Sequence, residues 1–222
     1  MELIRRRALG IGATTGLVMV SGKVSAADPQ NPGDPRSEPQ DSWLDEGGRR
    51  HRIAFDTLST PGLGLGMNFA KNFFVANHDG YGIGASELSV VVVLRHLSTA
   101  FAFNDAIWAR HGDYLGDHVK VSDPRTKEPP RVNVFNVPID APGLPNGKVT
   151  LGELSKLGAR FAVCAMAASK IAKAITENSH DDSDALLKEL EANLVPNALM
   201  VPAGIVAVNR AQEHGYAFSY CG

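Results

Sequence analysis

From residue 51 onward, short apolar runs alternate with longer segments in which apolar residues recur every three or four positions. Short runs rich in β-branched and aromatic residues are typical of strands, and the longer spacing is that of one helix face. Strands are expected at residues 53–58, 88–94, 161–164, 199–201 and 216–220. Helices are expected over residues 67–77, from a cap at Ser98 through Trp108, and over 151–158, 165–175, 183–194 and 204–214.

Strands that alternate with helices imply βαβ units and a mostly parallel sheet. The run at 88–94 is almost pure valine. Because such a run has no polar face, it predicts a central strand that is covered on both sides. The expected fold is therefore α/β, a three-layer sandwich with helices on both faces of a central sheet. Residues 112–148 contain six prolines and predict a long loop with one short strand at 132–137.

The first 50 residues differ in composition from the rest. Arg5-Arg6-Arg7 precede a mildly apolar run, and Val24-Ser25-Ala26 follow it, as in a secretory signal of the twin-arginine type. The alternative is an uncleaved anchor, but the apolar run is short for a bilayer of ~30 Å. Residues 1–26 are thus expected to be an export signal, and the proline-rich residues 27–50 a disordered spacer with Trp43 and Leu44 as local anchors. Residues 51–222 are the expected domain.

Charge and cysteine content narrow the classes of function. The formal net charge is −2, which argues against nucleic acid as the main partner. Two cysteines are too few for a disulfide scaffold. A Cys164–Cys221 bridge would require the two strand ends to lie close together, and free thiols are the favoured expectation.

Cys164 is the first candidate for chemistry. It stands where a predicted strand ends and a helix begins, and ligands of open α/β sheets bind at that edge. The free N–H groups of a helix start favour the thiolate, which is the nucleophilic form of cysteine. The alternative is a buried cysteine that only fills space.

Two motifs resemble the DsrE/DsrF-like family of sulfur-relay proteins. One is G-x-R-F-A-V-C, which ends at Cys164. The other is V-P-A-G-I-V-A-V-N-R-A-Q-E-H-G-Y-A-F over residues 201–218. In it a small-residue turn opens a helix, which ends in Gln212, Gly215 and Tyr216 before the final strand. The resemblance covers about residues 51–222 and implies a DsrE-like sandwich in which Cys164 holds a persulfide.

Arg95 and His96 follow the valine-rich strand and should reach the same edge as Cys164. A cation there could hold a thiolate or a sulfur oxyanion, and His96 with Cys164 could form a soft metal site. Asn104, with Asp105, is expected to reach the same pocket. For these residues a structural role is the alternative.

Two other sequence patterns do not predict a binding site. Residues 62–66, Gly-Leu-Gly-Leu-Gly, lack the third glycine of the dinucleotide fingerprint, so a tight loop against the sheet is expected. A cluster near the proline-rich segment has no metal-binding spacing and is expected to be a solvated polar loop. It consists of His111, Asp113, Asp117 and His118.

Two functions remain open at this point. The first is an exported, at most sulfurtransferase-like, persulfide carrier that exchanges sulfur with small sulfur species or with a partner protein thiol. The second is a non-catalytic periplasmic module that binds a metal or small ligand. No cofactor can be named, and no stable membrane span is expected once the signal is cleaved. Aromatic surfaces around Phe73, Phe74 and Trp108 predict a homo-oligomer.

Export gives the first testable prediction. We expect the mature periplasmic chain to begin at Ala27, because Val24-Ser25-Ala26 is the small-residue site of the signal. Intact mass spectrometry of the protein purified from its native cells measures this directly. A soluble chain that retains Met1 would contradict it.

Overall fold

The computed structural model describes residues 33–48, 50–177 and 181–222. The predicted export signal and the start of the predicted spacer lie outside these residues. Residues 34–222 form one compact unit. Its strands are β1 His51–Thr57, β2 Leu88–Leu94, β3 Arg160–Cys164, β4 Ala198–Val201 and β5 Ala217–Cys221. Its α-helices are α1 Thr60–Tyr81, α2 Asp105–Val119, α3 Leu151–Lys156, α4 Ala165–Thr176, α5 Ser183–Ala192 and α6 Gly204–Glu213.

The five strands form one sheet in the order β4-β3-β2-β1-β5, and every pairing is parallel. The predicted α/β class and parallel sheet are confirmed. All seven residues of β2 are buried, and β2 is the middle strand. The valine run is therefore central, because only a strand covered on both faces can bury every side chain.

Alternate strand residues pack into two separate cores. Val90, Val92 and Phe161 face a core built with α1 to α5. Val91, Val93 and Ala162 face a second core built with α6 and the 3-10 helix Pro39–Asp45. The sheet thus has helices on both faces, but five α-helices cover one face and one covers the other.

The second half of the predicted spacer packs against the domain, contrary to the expectation of disorder. Trp43 is 8% exposed and Leu44 is fully buried. The hydroxyl of Tyr216 donates to the Leu44 carbonyl at 2.8 Å, and Arg160 donates to the Trp43 carbonyl and lies over its ring. Trp43 and Leu44 are anchors, as predicted. They hold residues 34–48 in place because α6 covers only part of the sheet face beneath them.

Helix α1 begins earlier than its apolar spacing indicated. The Ser59 hydroxyl accepts from the Gly62 N–H and caps a helix that includes the whole glycine-rich run. The expectation of a loop there is wrong. A side chain at Gly62 would collide with the Cys221 and Gly222 carbonyls, and one at Gly66 would press on Thr57. These glycines let a helix, rather than a loop, approach the sheet.

The segment after β2 also differs from expectation. Ser98 lies in a 3-10 helix, His96–Ala102, and the cap of α2 is Asn104, whose side chain accepts from the Ala106 N–H at 3.0 Å. Helix α2 continues to Val119, well into the segment expected to be a loop. The short strand predicted at 132–137 is instead a 3-10 turn, Val134–Asn136, within a long loop.

The aromatic residues that suggested self-association are largely interior. Trp108 is fully buried, Phe74 is 5% exposed and Phe73 is half-buried. Their hydrophobicity is used within the core, so association must rest on other surfaces and stays a prediction.

Within the described helices, none is both long and apolar enough to cross a membrane. Both cysteines are free, as favoured. Cys164 ends β3 and Cys221 ends β5, with β2 and β1 between them. Because neighbouring strands are about 4.8 Å apart, these ends are about 14 Å apart, twice the reach of a disulfide.

Leu44 provides a test of whether residues 34–48 belong to the domain. Replacing Leu44 by alanine removes a fully buried side chain and should lower the free energy of unfolding by about 2–5 kcal/mol. Urea unfolding of the full chain measures the change. Ser42→Ala in the same segment is the control, because Ser42 is exposed. Equal stability of the two variants would show that the segment contributes nothing to the fold.

Candidate functional site

A cleft of about 440 Å³ opens at the carboxyl edge of the sheet. It lies between the ends of β3 and β4, where α4 leaves toward one face and α6 toward the other. Such a reversal leaves a crevice between two strand ends, which is where ligands of open α/β sheets bind. The lining residues are Arg95, His96, Leu97, Tyr114, His118, Cys164, Met166, Ala167, Lys170, Ile171, Ala174, Ala203, Gly204 and Ile205.

Cys164 lies in the wall of this cleft. It is the last residue of β3 and the N-cap of α4, and it is 7% exposed. No side chain caps α4, so the first-turn N–H groups of the helix remain available near the thiol. The sequence therefore located Cys164 correctly, at a strand-to-helix junction in a cleft.

Arg95 reaches the same cleft but already has a partner. Its Nε and Nη2 donate to the two carboxylate oxygens of Asp56 at 2.6 and 2.7 Å. Asp56 is 2% exposed, and the bonds raise the pKa of Arg95 further above its ordinary value. A side chain at Gly204 would lie 2.5 Å from the Arg95 Cβ, so α6 starts directly against the Arg95 stem. Arg95 was expected to be a free cation that binds an anion. Its charge is instead mostly used in a structural ion pair with Asp56.

His96 follows Arg95 and is exposed at the cleft. Its φ is +57°, in the left-handed region that is unfavourable for a residue with a side chain by about 1 kcal/mol. The tight turn after β2 directs the chain into the 3-10 helix and leaves the imidazole at the cleft.

His118 and Tyr114 enter the cleft from α2. They are one helical turn apart, and their rings stack with centroids 5.6 Å apart and an interplanar angle of 13°. Burial lowers the pKa of His118 below its ordinary value of 6.5, and the nearby charge of His96 lowers it further. His118 is therefore mostly neutral at pH 7.

His118 was assigned to a solvated loop, and that expectation is wrong. A continued helical pattern was present in the sequence, because Ile107, Leu115 and Val119 recur at spacings of eight and four residues. All three are buried on the inner face of α2. The glycines at 112 and 116 obscured this pattern, since glycine is unfavourable in helices. Both glycines are needed here because Pro130 packs against them.

Further cleft residues come from α4 and α6. Met166 and Lys170 lie one turn apart on α4, and Ile205 lies in the first turn of α6. Met166 is 61% and Ile205 57% exposed. Lys170 has no ion-pair partner within the described residues, and none of the lining residues is acidic. Sequence reasoning missed these three residues, because helical spacing does not tell which helix starts meet.

Asn104 does not line the cleft. Its side chain caps α2 and donates to Asn193 at 3.2 Å, so its role is structural. The other members of the polar cluster also lie elsewhere on α2. Asp113 pairs with Arg131 at 2.8 Å, and Asp117 pairs with Lys120 at 2.9 Å.

The described residues contain no group of three or more His, Cys, Asp or Glu side chains that could hold a metal ion. The pairing of His96 with Cys164 therefore lacks the third ligand that a protein metal site requires.

No protein-family model matches the chain, and no curated protein is significantly similar to it. The likeness to DsrE/DsrF-like proteins therefore rests on the two motifs quoted above.

A second cleft, of about 450 Å³, lies between the start of α1 and the loops around residues 121–127 and 141–144. Its charged side chains have local partners, so they do not converge on a common point. The partners are Asp117 for Lys120, the Pro124 carbonyl for Lys127, and Arg125 for Asp123. The cleft at Cys164 is therefore the better candidate for chemistry.

The lowered pKa of His118 predicts a pH-dependent stability. In the unfolded chain His118 binds a proton near pH 6.5, whereas the folded protein resists that proton. The free energy of unfolding should therefore fall as the pH drops through 6.5 toward the folded pKa. His118→Gln should lose less stability than the wild type between pH 7.5 and pH 5.5.

Thermal unfolding at the two pH values measures this difference. His111 has a lowered pKa as well, but its contribution is common to both proteins and cancels. His51→Gln, on the exposed start of β1, is the control and should behave like the wild type. An unchanged pH dependence in His118→Gln would contradict the prediction.

Proposed function

We propose that this protein carries sulfane sulfur as a persulfide on Cys164. The observation that carries the proposal is the position of Cys164, a nearly buried thiol in a cleft whose described lining contains no acidic side chain. Thiolates and persulfides are anions, so a surrounding carboxylate would oppose both. The cleft instead contains Lys170, the imidazoles of His96 and His118, and the start of α4.

The chemical step needs no external redox partner. The Cys164 thiolate attacks the outer sulfur of a donor, a new S–S bond forms, and the donor's own bond to that sulfur breaks with its electron pair on the leaving group. The leaving group is sulfite if the donor is thiosulfate and a thiolate if the donor is a persulfide. The thiol proton is released to solvent before the attack.

The cleft also suits a carrier that must hold its sulfur. A persulfide is lost to any thiol or oxidant that reaches it, so limited access prolongs its lifetime. Cys164 is only 7% exposed and has apolar neighbours on α4. The DsrE/DsrF-like motifs support the same role. The donor or acceptor is then a small sulfur species or a partner protein thiol, in the periplasm if residues 1–26 direct export.

A second candidate function is a binding module that forms no covalent intermediate. The volume of about 440 Å³ favours it, because this is within the range of small-molecule sites. Under this proposal His96, His118 and Lys170 hold a ligand, and Cys164 is one of its contacts.

Intact mass measurement distinguishes the two functions. We expect the purified full chain to gain one sulfur atom after incubation with thiosulfate or polysulfide, and to lose it on reduction. Cys164→Ala should abolish the gain. Cys221→Ala is the matched control, because Cys221 is also a free, buried cysteine at a strand end but lies outside the cleft.

Two outcomes would overturn the carrier proposal. One is the absence of any adduct on the wild-type chain. The other is an adduct that persists in Cys164→Ala and disappears in Cys221→Ala. A ligand that stays bound through purification without an adduct, and is lost in His96→Ala, would favour the binding module.

A further inference from the structure

We infer that the cleft takes an organic anion with an apolar substituent, so that an organic thiosulfonate is preferred over inorganic thiosulfate as the sulfur donor. This inference rests on the proposed function where it calls the bound ligand a sulfur donor. The site itself is inferred from the cleft walls and can be tested without any reaction.

The cleft is larger than inorganic thiosulfate requires. A volume of about 440 Å³ holds roughly fifteen water molecules at about 30 Å³ each. Thiosulfate is about as large as sulfate and would leave most of this space to water. A ligand with an organic substituent would occupy more of the cleft, and its contacts with the walls would replace part of that water.

The walls on both sides are apolar and unusually exposed. Met166 on α4 and Ile205 on α6 are both more than half exposed, although they line the same concave surface. Leu97, Ile171 and Ala174 extend the apolar lining. Large apolar side chains left in water at a cleft mouth mark surfaces that a partner or ligand covers. These walls match an aromatic or branched alkyl group.

The charge of the cleft calls for an anion. The charge of Arg95 is matched by Asp56, whereas Lys170 has no ion-pair partner in the described part of the chain. None of the described residues that line the cleft is acidic. The cleft therefore has an excess positive charge at Lys170 at neutral pH. The imidazoles of His96 and His118 provide further hydrogen-bonding groups.

The apolar and charged groups are close together. Met166 and Lys170 are four residues apart on α4, which places their Cβ atoms about 6 Å apart on one helix face. Cys164 lies just before the first turn of the same helix. A ligand whose anionic sulfur group is bonded directly to an apolar substituent offers matching groups to Met166, Lys170 and Cys164, which all line the cleft. Arene and alkyl thiosulfonates have this arrangement.

The reaction with such a donor is balanced. The Cys164 thiolate attacks the terminal sulfur of the thiosulfonate, and the bond between that sulfur and the sulfonyl sulfur breaks. The electron pair leaves on the organic sulfinate, and Cys164 keeps the transferred sulfur as a persulfide anion. Two anions enter and two anions leave, so no oxidant or reductant is required.

Equilibrium binding tests the site without chemistry. Benzenesulfonate has the substituent and the anionic group but no transferable sulfur, and it should bind the full chain roughly tenfold or more tightly than methanesulfonate. Titration calorimetry measures both. Ile205→Asp should remove the preference, whereas Val206→Asp should keep it, because Val206 is exposed on the same helix turn but does not line the cleft. Lys170→Gln should weaken the binding of both ligands. Lys173→Gln should weaken neither, because Lys173 is exposed on the same helix but does not line the cleft.

Transfer rates then test the donor class. The rate of persulfide formation with benzenethiosulfonate is divided by the rate with thiosulfate, and the same ratio is measured for free cysteine to correct for intrinsic reactivity. We expect the protein's ratio to exceed that of free cysteine by roughly tenfold or more, and Ile205→Asp to lower it. Circular dichroism confirms that each variant is folded.

The outcomes separate this inference from the proposed function. In one outcome the protein forms persulfide from both donors with the same rate ratio as free cysteine, and it binds the two sulfonates equally. This outcome overturns the organic-anion site and leaves the carrier proposal intact. Selective binding of benzenesulfonate without any persulfide supports the site and overturns the carrier. Loss of binding in Val206→Asp as well as Ile205→Asp would also count against the cleft as the site.

Discussion

The right-handed crossover rule for parallel strands determines most of this structure. The chain lays down β1, β2, β3 and β4 in one direction across the sheet and then returns to place β5 beside β1. Right-handed connections in one direction put their helices on one face, and the reversed step puts its helix on the other. Among the described α-helices, five therefore share a face and α6 crosses the opposite one. The ordered segment around Trp43 and Leu44 follows, because it covers what α6 leaves bare.

The same reversal creates the candidate site. Where β3 and β4 end, their helices depart to opposite faces and leave a crevice, and Cys164 lies at its edge. The Asp56–Arg95 pair closes one wall, because Gly204 lets α6 start directly against the Arg95 stem. With that charge matched inside the wall, Lys170 contributes the cleft's excess positive charge. Topology thus decides where the cleft lies, and local ion pairing decides its charge.

The proposed function and the inferred ligand depend on different parts of this cleft. The persulfide proposal depends on the thiol and on a described cleft lining that contains no acidic residue. The organic-anion site depends on Met166, Ile205 and Lys170, which come from two helix starts. A protein could keep either property without the other, since replacing the thiol leaves the apolar walls in place. The strained backbone of His96 is common to both, because it sets the imidazole at the shared opening.

The sequence by itself determined the fold class, the central position of the valine-rich strand and the placement of Cys164 at a strand-to-helix junction. These depend on local periodicity and on the order of elements, which a chain carries residue by residue. Only the tertiary structure decided that His118, Met166, Lys170 and Ile205 share a cleft, and that Arg95 is paired while Asn104 is a helix cap. It also decided that residues 34–48 are ordered. Each of these depends on which distant segments meet, and spacing along the chain does not contain that information.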